Sequence, residues 1–233
     1  MRKIKNIIII TLSLLLGTPI VLSIILSVIG LYLYCTADFL QPNINVDTSH
    51  YQLTTQTDSI KLCDYGSLYL NKYGLWEAKL YGNSIDRGTA YGMISKDLLK
   101  NQEDVFIDRI HEIISSEWWV KFLHKLVVIF NRDMAKQIPR EYLEEIYTMS
   151  LSCTDEYNAY SSPYVRQLNY HAAHDIGHAM QQYMLVGCSS FAIWDNESED
   201  GELIIGRNFD FYVGDNFAKN KVVLFVEPTE GYN

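Results

Sequence analysis

The residues of this sequence best suited to chemistry are a cysteine before one apolar run and three polar residues within the next. Cys188 precedes a run that ends at Trp194, and Arg207, Asn208 and Asp210 lie in the second run. The polar string between the runs contains an Asp-Gly dipeptide, which is a turn signal, so the stretch predicts a β-hairpin. A thiol is a nucleophile once it is deprotonated, and the hairpin would bring charged side chains back toward it.

The spacing of the charged residues limits which of them can meet the thiol. Arg207 and Asp210 are three residues apart, so strand alternation places them on opposite faces unless a bulge intervenes. We therefore expect only one of them to point directly at the sulfur of Cys188. The alternative is structural: a cysteine in an apolar strand is commonly a small buried hydrophobe, with Asn208 at an ordinary strand end and Gly206 in a bulge.

Two segments carry a resemblance to a known family: 187–191, Gly-Cys-Ser-Ser-Phe, and 206–211, Gly-Arg-Asn-Phe-Asp-Phe. They resemble the N-terminal nucleophile (Ntn) hydrolases, in the cysteine branch that holds the acyl-coenzyme A:isopenicillin N acyltransferase family. Acid ceramidases and choloylglycine hydrolases are more distant relatives. The resemblance implies an Ntn-hydrolase-like α-β-β-α sandwich and a precursor that cleaves itself at the Gly187–Cys188 bond.

The same resemblance implies the role of each site residue. Cys188 is the nucleophile, and its freed α-amine, with a pKa of about 7.7 to 8, takes the proton from a thiol whose pKa is about 8.5. Gly187 leaves the scissile carbonyl open and tolerates backbone strain. Asp210 orients the amine and thiol, Arg207 supplies positive charge for the thiolate or the acyl oxygen, and Asn208 belongs to the same catalytic set.

The implied reaction is attack on the acyl carbonyl of a small-molecule amide or thioester. A thioester at Cys188 is resolved by water or by an amine, so the enzyme is a self-processing cysteine amidohydrolase or acyltransferase that needs no cofactor.

A rival site lies just upstream of the cysteine, where three histidines are spaced for one face of a helix. His171, His174 and His178 are three and four residues apart. Neutral imidazoles that converge in this way suit zinc, and His174-Asp175 looks like the dyad of HD-type metal phosphohydrolases. That family needs further ligands, which have no counterpart here at recognisable spacing. We expect a buried structural histidine face, with a zinc-binding helical module and a non-catalytic membrane-tethered interaction domain as alternatives.

Composition narrows the class of protein. Nineteen Lys and Arg against 28 Asp and Glu give a net charge of −9, which excludes the basic surface of a nucleic-acid-binding protein. The four cysteines lack metal-type spacing. If Cys188 is free, Cys63 and Cys153 are the obvious candidates for a disulfide outside the cytoplasm.

The N-terminus predicts a membrane anchor. Residues 1–6 are basic, and the 28 residues of 7–34 contain no charge. About 20 apolar residues cross a bilayer, whereas a cleaved signal peptide has an apolar region of only about 7 to 15. Positive charge favours the cytoplasmic side, so we expect an uncleaved signal anchor, with residues 1–6 inside and everything after Cys35 outside.

The pattern of apolar residues in the rest of the chain predicts an α+β protein. Residues 35–66 are polar and are predicted to be a spacer, and 67–187 a mainly helical leader or pro-region. The leader is expected to contain two strands in 67–81, helices over 89–130 with a break near Ser115-Ser116, and a helix over 140–150. The pair Trp118-Trp119 is expected in the core.

Residues 188–233 are predicted to be the first antiparallel strands of the catalytic sheet, with a third strand over 221–226. Only 46 residues follow Gly187, whereas two packed sheets with outer helices need far more. The fold is therefore expected to be incomplete here, with the remaining catalytic segment in a longer precursor or on another chain.

Overall fold

The protein is a mixed α+β structure with a long apolar N-terminal helix. The computed structural model describes residues 2–36, 41–49, 51–179, 186–211 and 214–229. The chain divides into two compact units, the first formed by residues 1–40 and 122–137 and the second by residues 41–121 and 138–233.

Six α-helices and seven strands make up the described chain. The helices are α1 (Arg2–Cys35), α2 (Ser84–Ile94), α3 (Lys96–Ile113), α4 (Glu117–Phe130), α5 (Arg140–Ser150) and α6 (Pro163–Ala179). The strands are β1 (Leu53–Gln56), β2 (Ile60–Cys63), β3 (Gly66–Leu70), β4 (Trp76–Gly82), β5 (Val186–Ile193), β6 (Ile204–Phe211) and β7 (Val222–Pro228).

α1 has the length and composition of a membrane span. Its segment Gly17–Cys35 is long and apolar enough to cross a bilayer, and none of that segment is buried within the protein. The predicted helix over 7–34 is therefore present, within α1. A helix that is apolar on all sides is typical of a protein core or of a membrane span, and because this segment is not buried in the protein, α1 is a candidate membrane span.

The second unit is organised around a five-stranded sheet of order β1-β2-β3-β4-β7. β1 to β4 form an antiparallel meander, and β7 runs parallel to β4 over seven residue pairs, from Trp76 with Val222 to Gly82 with Pro228. β5 and β6 form a separate two-stranded sheet. The prediction that β7 continues the sheet of the hairpin is therefore wrong, because an apolar run specifies a strand but not its partner.

The predicted spacer 35–66 is too long. β1 and β2 occupy residues 53–63, and Lys61 and Cys63 of β2 are buried. Both strands have only four residues, and their polar residues interrupt any sustained apolar pattern. Short strands of this kind are ordered by their cross-strand neighbours rather than by their own composition.

α2 connects the meander to the helices. Its N-terminus is a capping box in which the Asn83 side chain accepts from the Asp86 amide at 3.0 Å while the Asp86 carboxylate accepts from the Asn83 amide at 3.3 Å. A box of this kind satisfies two backbone donors at the helix start. The helix cap is therefore Asn83, directly before Ser84.

The hydrophobic core of the second unit lies between the meander and α2. Its buried residues come from β2, β3, β4 and α2, and they are Cys63, Leu68, Trp76, Ala78, Leu80, Ala90 and Ile94. The predicted strands on either side of the turn at 72–74 supply the centre of this core.

The helical segment has more breaks than the sequence predicts. Three helices, α2, α3 and α4, cover the range 89–130 in place of two, and the second break at residues 114–116 lies near Ser115-Ser116. α5 spans the predicted range 140–150. The expectation that Trp118 and Trp119 lie in the core is wrong, since their exposed fractions are 64% and 50%.

Candidate active site

The candidate nucleophile lies in the hairpin formed by β5 and β6. The two strands pair in an uninterrupted antiparallel register from Val186 with Phe211 to Ile193 with Ile204. The connection between them contains Asp195 and Gly201 with positive φ angles of 55° and 79°. Asp and Gly tolerate this left-handed backbone, so the polar string closes the hairpin as predicted.

Arg207 lies on the same face of the hairpin as Cys188. Cys188 is directly opposite Phe209, and Ser190 is directly opposite Arg207. Opposed residues of an antiparallel pair project to the same face, as do residues two apart in one strand. Arg207 is therefore a diagonal neighbour of Cys188, at the roughly 7–8 Å between backbones that a long side chain can span.

Asp210 and Asn208 lie on the other face. Asp210 is directly opposite Gly187, and Asn208 is directly opposite Ser189. Gly187 contributes no side chain across from Asp210. The Asp210 backbone thus faces the residue on the carbonyl side of the Gly187–Cys188 bond, and an α-amine freed at Cys188 would emerge one residue away from it.

All four of these side chains are exposed. Cys188, Arg207, Asn208 and Asp210 are each accessible to solvent. The alternative in which Cys188 is a small buried hydrophobe therefore does not hold in this structure. The thiol is accessible to a substrate or to a modifying reagent.

Gly206 has a packing role rather than a place in a bulge. It lies opposite Phe191 in the regular register, and a Cβ at this position would lie 2.2 Å from Cε1 of the Phe191 ring. The ring covers the glycine across the strands, and any side chain at 206 would displace it. The absence of a side chain at Gly206 thus leaves room for the Phe191 ring.

Ser190 is a further residue of the candidate site and is not among the site residues predicted from the sequence. It shares the face of Cys188 and lies opposite Arg207. Ser190 is two residues after Cys188 in the same strand, so the strand period alone predicts that both side chains lie on one face. The pairing of Ser190 with Arg207 cannot be predicted in this way, because it depends on the length of the connection between the strands.

Cys63 and Cys153 are less exposed than Cys188. The four cysteines are free, so the disulfide considered between Cys63 and Cys153 is not formed. Burial raises the pKa of Cys63. Burial, with the Glu103 carboxylate as a second cause, raises the pKa of Cys153 to about 12. Both therefore stay protonated at neutral pH.

The rival histidine site is on α6. The backbone of this helix includes His171, His174 and His178. His171 is exposed, and its Nδ1 donates to the carbonyl oxygen of Gln167 at 2.8 Å. The prediction of a buried histidine face is therefore wrong for His171. The side chains of His174 and His178 lie outside the described residues, and among the side chains that are described no group of three or more His, Cys, Asp or Glu is placed to hold a metal ion.

No protein-family model, no curated protein and no solved structure matches the chain.

Proposed function

We propose that this protein is a self-processing cysteine amidohydrolase or acyltransferase of the Ntn type, with Cys188 as its nucleophile. The observation that carries the proposal is the register of the hairpin. It places the exposed Cys188 beside Arg207 on one face, and it sets Asp210 opposite Gly187 on the other.

The first step is an N-to-S acyl shift within the chain. The Cys188 thiol loses its proton and attacks the carbonyl carbon of Gly187, and the amide bond breaks as its nitrogen takes up a proton. The product is a thioester between Gly187 and the Cys188 sulfur. Water then hydrolyses the thioester, which leaves a Gly187 carboxylate, a free thiol and a free α-amine on Cys188.

The second step is turnover of an acyl substrate. The freed α-amine accepts the thiol proton, and the thiolate attacks the substrate carbonyl. The bond to the substrate's amine or thiol breaks as that leaving group takes the proton back from the α-ammonium group, which leaves an acyl thioester on Cys188. Water or an acceptor amine then attacks the thioester, loses its proton and releases the Cys188 thiol. Arg207 lies on the face of the sulfur, where a guanidinium stabilises a thiolate or a developing oxyanion. Asp210 lies one residue from the amine, where a carboxylate holds it by a charge-assisted hydrogen bond.

Replacement of Cys188 tests the proposal. Full-length protein in detergent should yield a fragment that begins at Cys188, and Cys188→Ala should abolish both this cut and acyl transfer. Cys188→Ser should cut slowly, because a hydroxyl makes the same shift with a poorer nucleophile. Intact mass and N-terminal sequencing measure the cut.

Cys35→Ala is the matched control, because Cys35 is also an exposed free cysteine but lies at the end of α1. It should cut as the unsubstituted chain does. An uncut Gly187–Cys188 bond in an active enzyme, or full activity in Cys188→Ala, rules the mechanism out.

The role of Asp210 has its own test. Asp210→Asn should leave the protein folded and slow both cleavage and turnover by about 10²–10³-fold, as the loss of a preorganised polar group does. Glu202→Gln removes another exposed carboxylate from the same hairpin and should leave both rates unchanged. Equal rates in Asp210→Asn and Glu202→Gln would remove Asp210 from the site.

We further propose that α1 is an uncleaved signal anchor that leaves the second unit outside the cytoplasm. The basic residues before the apolar segment support this orientation. Protease added to intact cells should degrade the second unit and spare α1. A second unit that is protected until the cells are opened contradicts the orientation.

The proposed fold of the complete enzyme is the Ntn α-β-β-α sandwich. Its support is the set of large apolar residues exposed on the hairpin and on β7, which further packed layers would cover: Phe191, Ile204, Ile205, Val223, Leu224, Phe225 and Val226. Consecutive members of this set point to opposite faces of their strands. The remaining catalytic segment, in a longer precursor or on another chain, is proposed to supply those layers.

A further inference from the structure

α4 has a continuous apolar face on which five residues are exposed and two, Leu126 and Ile129, are half-buried. At 100° per residue, an arc of about 140° contains only apolar residues. Trp118 is 64% exposed, Trp119 is 50% exposed and Phe130 is 81% exposed. The members of this arc, which we term the α4 face, are Trp118, Trp119, Phe122, Leu123, Leu126, Ile129 and Phe130.

The opposite side of the helix is already occupied by the protein. Val120 and Val128 are buried, with exposed fractions of 3% and 6%. α4 therefore has two apolar sides, one packed and one exposed. Val120 and Val128 lie on the packed side, and the exposed Trp118, Trp119 and Phe130 lie on the other.

A row of charged residues borders the α4 face. Glu117, Lys121 and Lys125 follow one another at four-residue intervals, and Lys121 Nζ lies 3.1 Å from the Glu117 carboxylate. Lys side chains rest their methylene stems on apolar surface and keep the ammonium group in a polar layer. Such a border suits a helix that lies at the boundary between an apolar and a polar phase.

The second half of α4 belongs to the same compact unit as α1. Lys125 Nζ lies 6.0 Å from the centroid of the Tyr34 ring, within the range of a cation–π contact. Tyr34 is in the last turn of the candidate span Gly17–Cys35, where a spanning helix leaves the hydrocarbon. Tyr and Trp both concentrate at this depth of a bilayer.

The charge around α4 contrasts with that of the whole protein. Residues 117–137 contain four basic and two acidic residues, a local charge of +2 in a chain of net charge −9. An amphipathic helix on a membrane surface binds more strongly when its basic residues meet anionic lipid headgroups. The segment next to the candidate span is thus a basic region within an acidic protein.

We propose that α4 is an interfacial helix that lies in the headgroup region of the bilayer leaflet where α1 emerges. The α4 face enters the boundary of the acyl chains by about 5–10 Å, as amphipathic interfacial helices do. Lys121 and Lys125 stay at the level of the lipid phosphates. This contact goes beyond the proposed chemistry and does not depend on Cys188.

Depth-dependent quenching of tryptophan fluorescence tests the proposal in the full-length chain. The protein is reconstituted in phosphatidylcholine vesicles with phosphatidylglycerol as the anionic lipid, with or without lipids brominated near the headgroup end of the acyl chain. We expect bromination to quench up to about half of the emission, because two of the four tryptophans lie on the α4 face. Carbonate extraction of the same vesicles reports separately whether α1 is inserted.

Two variants assign the quenching. Trp118→Phe/Trp119→Phe keeps the face apolar and removes its reporters, so the quenching should disappear. Trp194→Phe removes another exposed tryptophan, in the hairpin region, and should retain it.

Two results overturn the proposal. The first is emission that bromination does not change while α1 is inserted. The second is quenching that survives in Trp118→Phe/Trp119→Phe. The alternative is that a second copy of the chain covers the α4 face. Bromination then has no effect, and lysine cross-linking yields dimers that are lost in Trp118→Gln/Trp119→Gln. This result also contradicts a lipid contact.

Discussion

Arg166 has no solvent-exposed surface, and it holds a loop to the helices of the second unit. Its Nε donates to the Glu103 carboxylate at 2.8 Å, and its Nη1 donates to the Asn158 side chain at 2.9 Å and to the Ser161 carbonyl at 2.7 Å. The Glu103 side chain is also buried. Burial of each charge costs desolvation free energy, which the attraction between Arg166 and Glu103 offsets. If one partner is removed, the remaining charge is buried without that compensation.

We expect Arg166→Met to destabilise the second unit by about 3–5 kcal/mol, because it leaves a buried carboxylate without its partner. Arg140→Met is the matched control. Arg140 forms an ion pair with Glu144 four residues away and is 75% exposed, and exposed pairs contribute little. Urea unfolding in detergent measures both variants, and equal midpoints would contradict the role assigned to the buried pair.

The thiols should differ in reactivity. At pH 8 only about one in ten thousand Cys153 side chains is a thiolate if its pKa is about 12. Cys188 is exposed and should be alkylated by iodoacetamide well before Cys153. Because thiolate is the reactive form, the rate at Cys153 should rise about tenfold per pH unit up to its pKa. Peptide mass mapping follows both sites, and similar rates at pH 8 would show that Cys153 is not shielded.

At the residue scale the sequence predicts the hairpin that contains the candidate site residues, but not which of these residues share a face. Alternation alone separates Arg207 from Asp210, since the side chains of a strand have a period of two. Which of them shares a face with Cys188 depends on the register, and the register depends on how many residues the connection around Asp195 and Gly201 absorbs. No local sequence pattern predicts how many residues this connection contains.

Among the elements, α2 and α5 make an unusually close contact. A Cβ at Gly88 would lie 2.1 Å from Thr148 Oγ1 and 2.3 Å from the Glu145 carbonyl oxygen. At Gly92 it would lie 2.7 Å from the Met149 carbonyl oxygen. The two glycines, four residues apart on one helix face, let the backbones of α2 and α5 approach each other directly.

Gly88→Ala should therefore destabilise the second unit by about 1–3 kcal/mol, as overpacking of a close contact does. Thr148→Ala in the same chain should not restore stability, because the Glu145 carbonyl belongs to the backbone and cannot rotate away. Thermal unfolding followed by circular dichroism measures the single and double variants. Full recovery in the double variant would place the clash on the threonine alone.

Elements with a local signal are predictable from the sequence. α5 begins after Pro139 and has apolar residues at helical spacing, so both of its ends agree with the prediction. β1 and β2 escape prediction because four-residue strands with polar residues have no distinct period. The exposed Trp118 and Trp119 are wrongly predicted in the core because an apolar helical face has the same pattern whether protein or lipid covers it.

For the molecule as a whole, β7 joins the two sides of the proposed cut. β4 belongs to the chain before Gly187 and β7 to the chain after it, and the two strands pair in parallel over seven positions. A cut at Gly187–Cys188 therefore leaves a backbone ladder between the products. We expect the fragments 1–187 and 188–233 to migrate together in native electrophoresis and to separate only in denaturant.

The ladder itself can be weakened at a single donor. The Trp76 amide donates to the Lys221 carbonyl, and the Thr229 amide donates to the Gly82 carbonyl. Alternate residues of a parallel strand bond to the same neighbour, so the amide of Phe225 points toward β4 and the amide of Leu224 points away from it.

Phe225→Pro should therefore release the fragment 188–233 from its partner, because proline removes a backbone donor from the ladder. Leu224→Pro is the matched control and should keep the fragments together, since the donor that it removes does not face β4. Native electrophoresis of the cut protein compares the two variants. Separation of the unsubstituted fragments under native conditions would contradict this role of β7.

The parallel pairing also sets an order of events during synthesis. β4 ends at Gly82 and β7 begins at Val222, so 140 positions separate them. At about 5–20 residues per second, translation needs roughly 7–28 s to supply the partner strand. Throughout that interval one edge of β4 has no β7 to pair with. A nascent chain that stalls before residue 222 therefore keeps an open strand edge, which is a template for pairing with other chains, and the arrival of β7 removes it.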